Sequence, residues 1–261
     1  MREVLDQMHT VIRLETPPRR IVSLVPSQTE LLSDLGLVNE VVGITKFCIY
    51  PEAWYRSKTR IGGTKSVNIE QVKYLQPDLI IGNKEENSEK DIYELRKIAP
   101  VWMSDIYTLT DALDMISSLG DLCDRVEQST ALCTEIMSEF KELNSQLSPS
   151  HPMKTVAYYI WKDPNMLAGK HTFIDAMLQA CGWVNITTES RYPEENPTMQ
   201  PDVIFLSTEP FPFNEEHCEE FRVRFPHAQV VLVDGEFFSW YGSRLRTAPK
   251  YFTSLLEQLT R

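Results

Sequence analysis

"RIVSLVPSQTELLSDLG", residues 20–36, changes character at its middle. Ile21 to Val25 read as a short buried strand, and Pro26 stops it. Ser27-Gln28-Thr29-Glu30 then has the S-x-x-E spacing of a capping box, ahead of the apolar run Leu31, Leu32, Leu35. A strand that ends where a helix begins is the unit of an open α/β fold. At such a junction the helix start leaves backbone N–H groups without partners, and ligands tend to sit there.

Outward from this stretch, strands and helices keep alternating. "VVGIT" reads as a strand, residues 46–67 as a turn-rich segment, "NIEQVKYL" as a helix and "QPDLIIG" as a strand. A helix over "SEKDIYELRKIA" and the strand "PVWMSD" complete a first lobe, residues 1–106, with a mostly parallel sheet. From Thr108 to about Leu147 no proline occurs and Gly120 is the one glycine, while apolar residues recur at helical spacing. A continuous helix there would run roughly 55 Å at 1.5 Å per residue. The expectation is one long bridging helix, residues 107–149, ended by the turn residues "SPSHP" at 148–152; the alternative is two helices broken near Gly120.

The alternation then restarts in a second lobe, residues 150–261, and echoes the first. "TVAYYIW" is a strand, Thr172 to Asp175 is a second cap-like T-x-x-D, and "FIDAMLQACG" ends at Gly182 as "TELLSDLG" ends at Gly36. "MQPDVIFLS" at 199–207 matches "LQPDLIIGN" at 75–83, and "AQVVLVD" stands where "APVWMSD" stood. Three echoes in one order predict two related three-layer α/β lobes. If they face one another, the helix starts at Ser27 and Thr172 offer N–H donors to a shared ligand.

With 26 basic residues against 37 acidic ones the net charge is −11, which repels a nucleic-acid backbone or an anionic membrane. No apolar run is long enough to span a bilayer, and the first 18 residues lack the pattern of a secretory signal. Five cysteines, odd in number and scattered, favour a reducing compartment over a disulfide framework. Among enzyme motifs, G-x-S-x-G, H-E-x-x-H and G-x-G-x-x-G are absent; "AGKHT" at 168–172 lacks the first glycine and the Ser/Thr of a phosphate loop. His171, His217, His227, Cys48 and Cys181 are possible metal donors, but no two histidines share ligand spacing, so no metal site and no catalytic residue is assigned. His171, beside the second helix start, is the best single candidate.

The segments "RIVSLVPSQTELLSDLG", "VVGITKFCIYP", "NIEQVKYLQPDLIIG", "AGKHTFIDAMLQACGWVNI" and "DGEFFSWYGSRLRTAP", over residues 18–258, carry a resemblance. The chain resembles the helical-backbone substrate-binding proteins of ABC importers, most closely the vitamin B12-binding type. The resemblance implies two α/β lobes joined by one long helix, a ligand cleft between them, a monomer, and partners in the importer's permease subunits. It implies a non-enzymatic protein without a cofactor, whose ligand is a corrinoid such as cobalamin or another metal chelate. By position, Phe47 and Tyr50 correspond to first-lobe aromatics, Thr64 and Lys65 to the loop before "VNIEQ", and Trp240, whose "SWYG" context reads as loop, to the second-lobe aromatic. Glu89 falls on a first-lobe docking position, and Glu215 or Glu216 on the second-lobe one.

The chain also departs from the family pattern. "SRYPEENPTMQPD" lacks room for the helix usual before the Pro-Asp strand, and the longer "SWYGSRLRTAP" adds Arg244 and Arg246. These two, with Lys46, Lys65 and Lys170, are the visible basic candidates; the arginines would meet a carboxylate or phosphate, or else be solvated or pair with acids. A ferric siderophore or haem is therefore an alternative ligand. A cytosolic cofactor-handling protein or enzyme on the same scaffold is an alternative function. Localisation is periplasmic or cell-envelope by the resemblance, and cytoplasmic by the absent signal.

Overall fold

The structure is a computed structural model and describes residues 2–147 and 154–260; the turn expected at 148–152 lies outside the described residues. The chain separates into two compact units. One holds Met1–Ile106, Thr110–Glu135 and Tyr241–Arg244, and the other Tyr107–Leu109, Ile136–Trp240 and Leu245–Arg261.

The first unit opens with a hairpin of β1 (Arg2–Leu5) and β2 (Val11–Leu14). Then follow β3 (Ile21–Ser23), α1 (Pro26–Asp34), β4 (Val41–Ile44), α2 (Glu52–Ser57), β5 (Thr59–Arg60) and a small hairpin of β6 (Gly62–Gly63) and β7 (Ser66–Val67). The unit continues with α3 (Ile69–Leu75), β8 (Leu79–Asn83), α4 (Glu89–Leu95), β9 (Val101–Ser104) and α5 (Leu109–Leu122). Its sheet has the order β5-β4-β3-β8-β9, with every pairing parallel. Ile21, Val22, Leu79, Ile80 and Ile81 are fully buried. That is why these strands read as continuous apolar runs rather than alternating ones: both faces of a parallel sheet are covered by crossover helices.

The predicted bridging helix is two helices, α5 and α6 (Val126–Gln146). The break falls at residues 123–125, just past Gly120. Asp124 takes a left-handed conformation (φ 59°), and the Arg125 N–H donates to the Gly120 carbonyl at 2.7 Å, closing the turn. Gly120 itself is a point of contact, since a Cβ there would lie 2.0 Å from the Ser129 hydroxyl. Helical spacing persists across the break because both helices bury an apolar stripe, so the sequence pattern alone does not register the turn.

The second unit holds the later part of α6, β10 (Thr155–Trp161), β11 (Met166–Leu167), α7 (Phe173–Ala180), β12 (Val184–Asn185) and β13 (Val203–Ser207). It ends with α8 (Glu215–Arg224), β14 (Gln229–Val233), α9 (Glu236–Ser239) and α10 (Ala248–Thr260). Its sheet runs β11-β10-β13-β14, parallel except for the edge strand β11, with β12 also paired to β10. Residues 186–202 contain no helix, as the short "SRYPEENPTMQPD" segment predicts.

The Pro-Asp echo has a shared physical role. Asp78, just before β8, accepts the backbone N–H groups of Arg19 and Arg20 at 2.8 Å each, ahead of β3. Asp202, just before β13, accepts the backbone N–H and the hydroxyl of Thr155, both at 2.7 Å, at the start of β10. Each carboxylate thereby aligns its own strand with the first strand of its sheet.

The two predicted helix caps have different outcomes. Pro26 occupies the first helical position of α1, so Ser27 lies inside the helix and its hydroxyl makes no capping bond; Val25 is the flanking residue. Glu30 is drawn instead to Arg244, at 2.8 Å. Thr172 does cap α7, accepting the Asp175 N–H at 3.1 Å.

Candidate functional site

In the first unit the chain leaves β3 for β4 on one side and returns to β8 on the other. The sheet therefore reverses its winding between β3 and β8, the place where open α/β sheets hold ligands at their carboxyl ends. The segments that follow those ends bring several predicted residues together. The start of α1 has no side-chain cap, and Ser27 in its first turn is buried. Phe47 and Tyr50, after β4, stand 51% and 40% exposed although both are large apolar rings. Cys48 between them is fully buried.

Cys48 anchors this loop. Thr29 donates its hydroxyl to the sulfur at 3.1 Å, and Thr45 lies at the same distance. Burial pushes the thiol's pKa up, against these two hydrogen bonds, which keeps it protonated. Phe47 backs onto the β6–β7 hairpin, where a Cβ on Gly63 would lie 3.2 Å from its ring. That hairpin carries Thr64 and Lys65. Asn87 donates to the Thr64 carbonyl at 3.0 Å, and Lys65 donates to the Glu85 carbonyl.

The backing of the site is a buried polar network that the sequence does not announce. Gln28 Nε2 and Asn83 Nδ2 donate to Ser104 Oγ at 2.7 and 2.9 Å, and Asn87 Oδ1 accepts the Asn83 N–H at 2.9 Å. It links α1, β8, β9 and the hairpin loop. Polar residues in otherwise apolar strand ends were the available signal, but their partners lie up to 76 residues away.

Arg244 also belongs to the first unit. Its guanidinium makes a two-pronged contact with Glu30 (Nε–Oε2 3.1 Å, Nη2–Oε1 2.8 Å) and lies 4.9 Å from the Tyr50 ring centre. Gly242 lets this segment approach α1, since a Cβ there would lie 2.6 Å from the Ser27 carbonyl. Of the alternatives for Arg244, pairing with an acid is the one observed. Ser27, Phe47, Tyr50, Thr64, Lys65 and Arg244 thus belong to one region of the first unit.

The remaining candidates belong to the second unit. Lys170 is half-buried and donates to Asp175 at 3.1 Å, which also accepts from Gln179 (2.8 Å) and Asn185 (3.0 Å). His171 is exposed in a left-handed conformation (φ 56°), with Nδ1 3.0 Å from Ser190 Oγ. Trp240 follows α9 as an extended residue and is only 7% exposed, not the open loop aromatic that "SWYG" suggested. Its indole N–H donates to Glu209 Oε1 at 3.1 Å, and the Ser239 hydroxyl donates to the same oxygen.

Glu89 is exposed in the first turn of α4, after Ser88, which caps that helix. Glu215 and Glu216 are exposed in the first turn of α8, behind an Asn214–His217 capping box. The two helices occupy equivalent places, each following the strand beside the first strand of its sheet. Arg222 engages Glu215 at 2.9 Å. Among the described residues, no group of three or more His, Cys, Asp or Glu side chains is placed to hold a metal ion, and no helix is long and apolar enough to cross a membrane.

Known proteins share this architecture. A family model described as "Periplasmic binding protein" matches residues 21–221. The vitamin B12-binding protein of Vibrio cholerae is 26% identical over 198 residues, 73% of this chain and 71% of that protein. The crystal structure of the periplasmic vitamin B12-binding protein of Vibrio cholerae superposes with a TM-score of 0.80 at 22% identity, covering 94% of this chain and 99% of that one. A periplasmic haem-binding protein from Roseiflexus sp. RS-1 superposes equally well (0.80) at 19% identity, over 93% of this chain and 99% of that one.

Proposed function

The chain belongs to the periplasmic binding protein family, and from that premise we propose that it captures a corrinoid or similar flat metal chelate outside the cytoplasm and hands it to the permease subunits of an ABC importer. The observation that carries the reading is the pair of half-exposed rings, Phe47 and Tyr50, at the carboxyl edge of the first sheet beside an uncapped helix start. Exposed aromatic faces and neutral N–H donors suit a broad, largely uncharged disc whose edge carries amides. Arg244, a cation of that region, is already matched by Glu30, which favours a neutral chelate there over a strongly anionic one. Binding, not catalysis, is the activity this arrangement serves.

Titrating the purified protein with cyanocobalamin tests the reading, by tryptophan fluorescence and calorimetry. Saturable one-to-one binding at micromolar affinity or better is expected; no binding would discard the corrinoid and turn the search to haem and ferric chelates. Phe47→Ala is expected to weaken binding at least tenfold while leaving the thermal midpoint within a few degrees, because the ring is already half in solvent. A large stability loss with unchanged affinity would place Phe47 in the packing instead.

Delivery is assigned to Glu89 and Glu216, at the equivalent helix starts of the two units; Glu215 ranks behind Glu216 because Arg222 engages it. Paired acidic points fix orientation on a partner more than they add affinity. Glu89→Ala and Glu216→Ala should keep full ligand affinity in the isolated protein and lower ligand-stimulated ATPase activity of the reconstituted importer. Weakened ligand binding in either variant would remove that residue from the docking face.

A further inference from the structure

We propose that Asp91 is a positioning residue: it ties the β6–β7 hairpin, whose tip is Thr64 and Lys65, to the first turn of α4, so that a chelate resting on the hairpin fixes the place of Glu89 and marks the loaded protein for its partner. The proposal deepens the capture-and-delivery reading above and rests on it.

Ser88-Glu89-Lys90-Asp91 has the S-x-x-D spacing of a capping box. One arm of the box is made, since the Ser88 hydroxyl accepts the Asp91 N–H at 3.2 Å. In a closed box the acid at the third helical position reaches back to the N–H of the cap residue. Asp91 instead turns its carboxylate out of the helix, and Oδ2 accepts the Val67 N–H of β7 at 2.9 Å.

A second tie lies on the other side of Glu89. Asn87 is buried, and its two side-chain atoms have separate tasks: Oδ1 accepts the Asn83 N–H at the end of β8 (2.9 Å), and Nδ2 donates to the Thr64 carbonyl (3.0 Å). Glycine at 82 leaves room for it, since a Cβ there would lie 2.7 Å from Asn87 Oδ1. Lys65 adds a third bond, to the Glu85 carbonyl. Glu89 is thus bracketed by Asn87 and Asp91, both of which hold the hairpin.

The hairpin itself is slight. Its strands meet at two residue pairs, Gly62 with Val67 and Gly63 with Ser66, and Lys65 and Ser66 are exposed. Segments with so little packing open locally at low free-energy cost, and a ligand that contacts the closed form raises that cost. Through the Asp91 and Asn87 bonds the same contact steadies the first turn of α4. Such coupling is reciprocal, so a partner that grips Glu89 tightens the ligand by the same factor. The start of α8 is built differently: His217 Nδ1 accepts the Asn214 N–H at 3.1 Å and closes that box on itself. Glu216 is therefore held by its own helix start, and Glu89 carries the report of occupancy.

Hydrogen exchange of the isolated protein tests the coupling, with cyanocobalamin as the probe and haem in its place if only haem binds. Saturating probe is expected to slow exchange of the amide hydrogens at residues 91 and 92 by about fivefold or more in the wild type. Asp91→Ala should bind the probe within about threefold of wild type and lose that slowing. Asp91→Asn removes the charge but keeps a side-chain oxygen for the Val67 N–H, so it should retain the slowing and separate the bond from the charge. A slowing absent in the wild type, persisting in Asp91→Ala or missing in Asp91→Asn, or an Asp91→Ala protein that loses the probe together with its stability, would each overturn the role of Asp91 and leave chelate capture standing. Failure of the wild type to bind either probe would overturn chelate capture and this assignment with it.

Discussion

Replacing Trp240 by alanine is expected to lower the free energy of unfolding by about 3 kcal/mol, the range for emptying a buried aromatic site. The ring is closed off from solvent, and its N–H donates to Glu209 beside the Ser239 hydroxyl. Removal therefore leaves both a cavity and a carboxylate with one partner fewer. Urea unfolding measures the change, and a shift below about 1 kcal/mol would show that the ring is not packed as described. Trp240→Phe, which keeps most of the volume but not the N–H, should recover more than half of the loss. A ligand-affinity defect in the alanine variant speaks for a direct contact only if the phenylalanine variant, with its stability restored, shows it too.

Glu30→Ala should cost about 2 kcal/mol, between the small worth of an exposed ion pair and the larger penalty for orphaning a buried one. The side chains of Arg244 and Glu30 are 13% and 21% exposed, so the guanidinium loses a partner that water replaces only in part. Together with Arg244→Ala and the double variant, this forms a cycle expected to show a coupling of more than 1 kcal/mol. Strict additivity would mean that the two-pronged contact contributes nothing to holding residues 241–244 on α1. The same loss should persist at high salt, since a half-buried pair is screened far less than a surface one.

Much of the fold was legible because parallel-sheet strands buried on both faces leave continuous apolar runs, as "DLIIG" and "DVIFLS" do. What was not legible depended on one local bond or one distant partner. Pro26 moved the start of α1 by two residues and undid the Ser27–Glu30 box. Asp124 turned the chain within a stretch whose apolar spacing never falters. Residues 46–67 were read as turns and hold α2 and three two-residue strands, too short for any periodicity to show. At the site, types and neighbourhoods were readable, as with Phe47, Tyr50 and the Thr64–Lys65 loop; commitments were not. That Lys170 is tied to Asp175, Arg244 to Glu30 and Trp240 to Glu209 follows only from folded geometry.

The segment Tyr241–Arg244 belongs to the first unit although it is made long after the rest of that unit. A ribosome working at about 5–20 residues per second delivers it on the order of 5–20 seconds after the end of the Thr110–Glu135 portion. Through that interval Glu30 has no arginine, and the start of α1 lacks the strand of chain that Gly242 lays against it. The first unit must therefore wait for residues 136–240 to be made before its structure is complete. Splitting the gene between the two halves would produce an N-terminal fragment permanently short of its last piece.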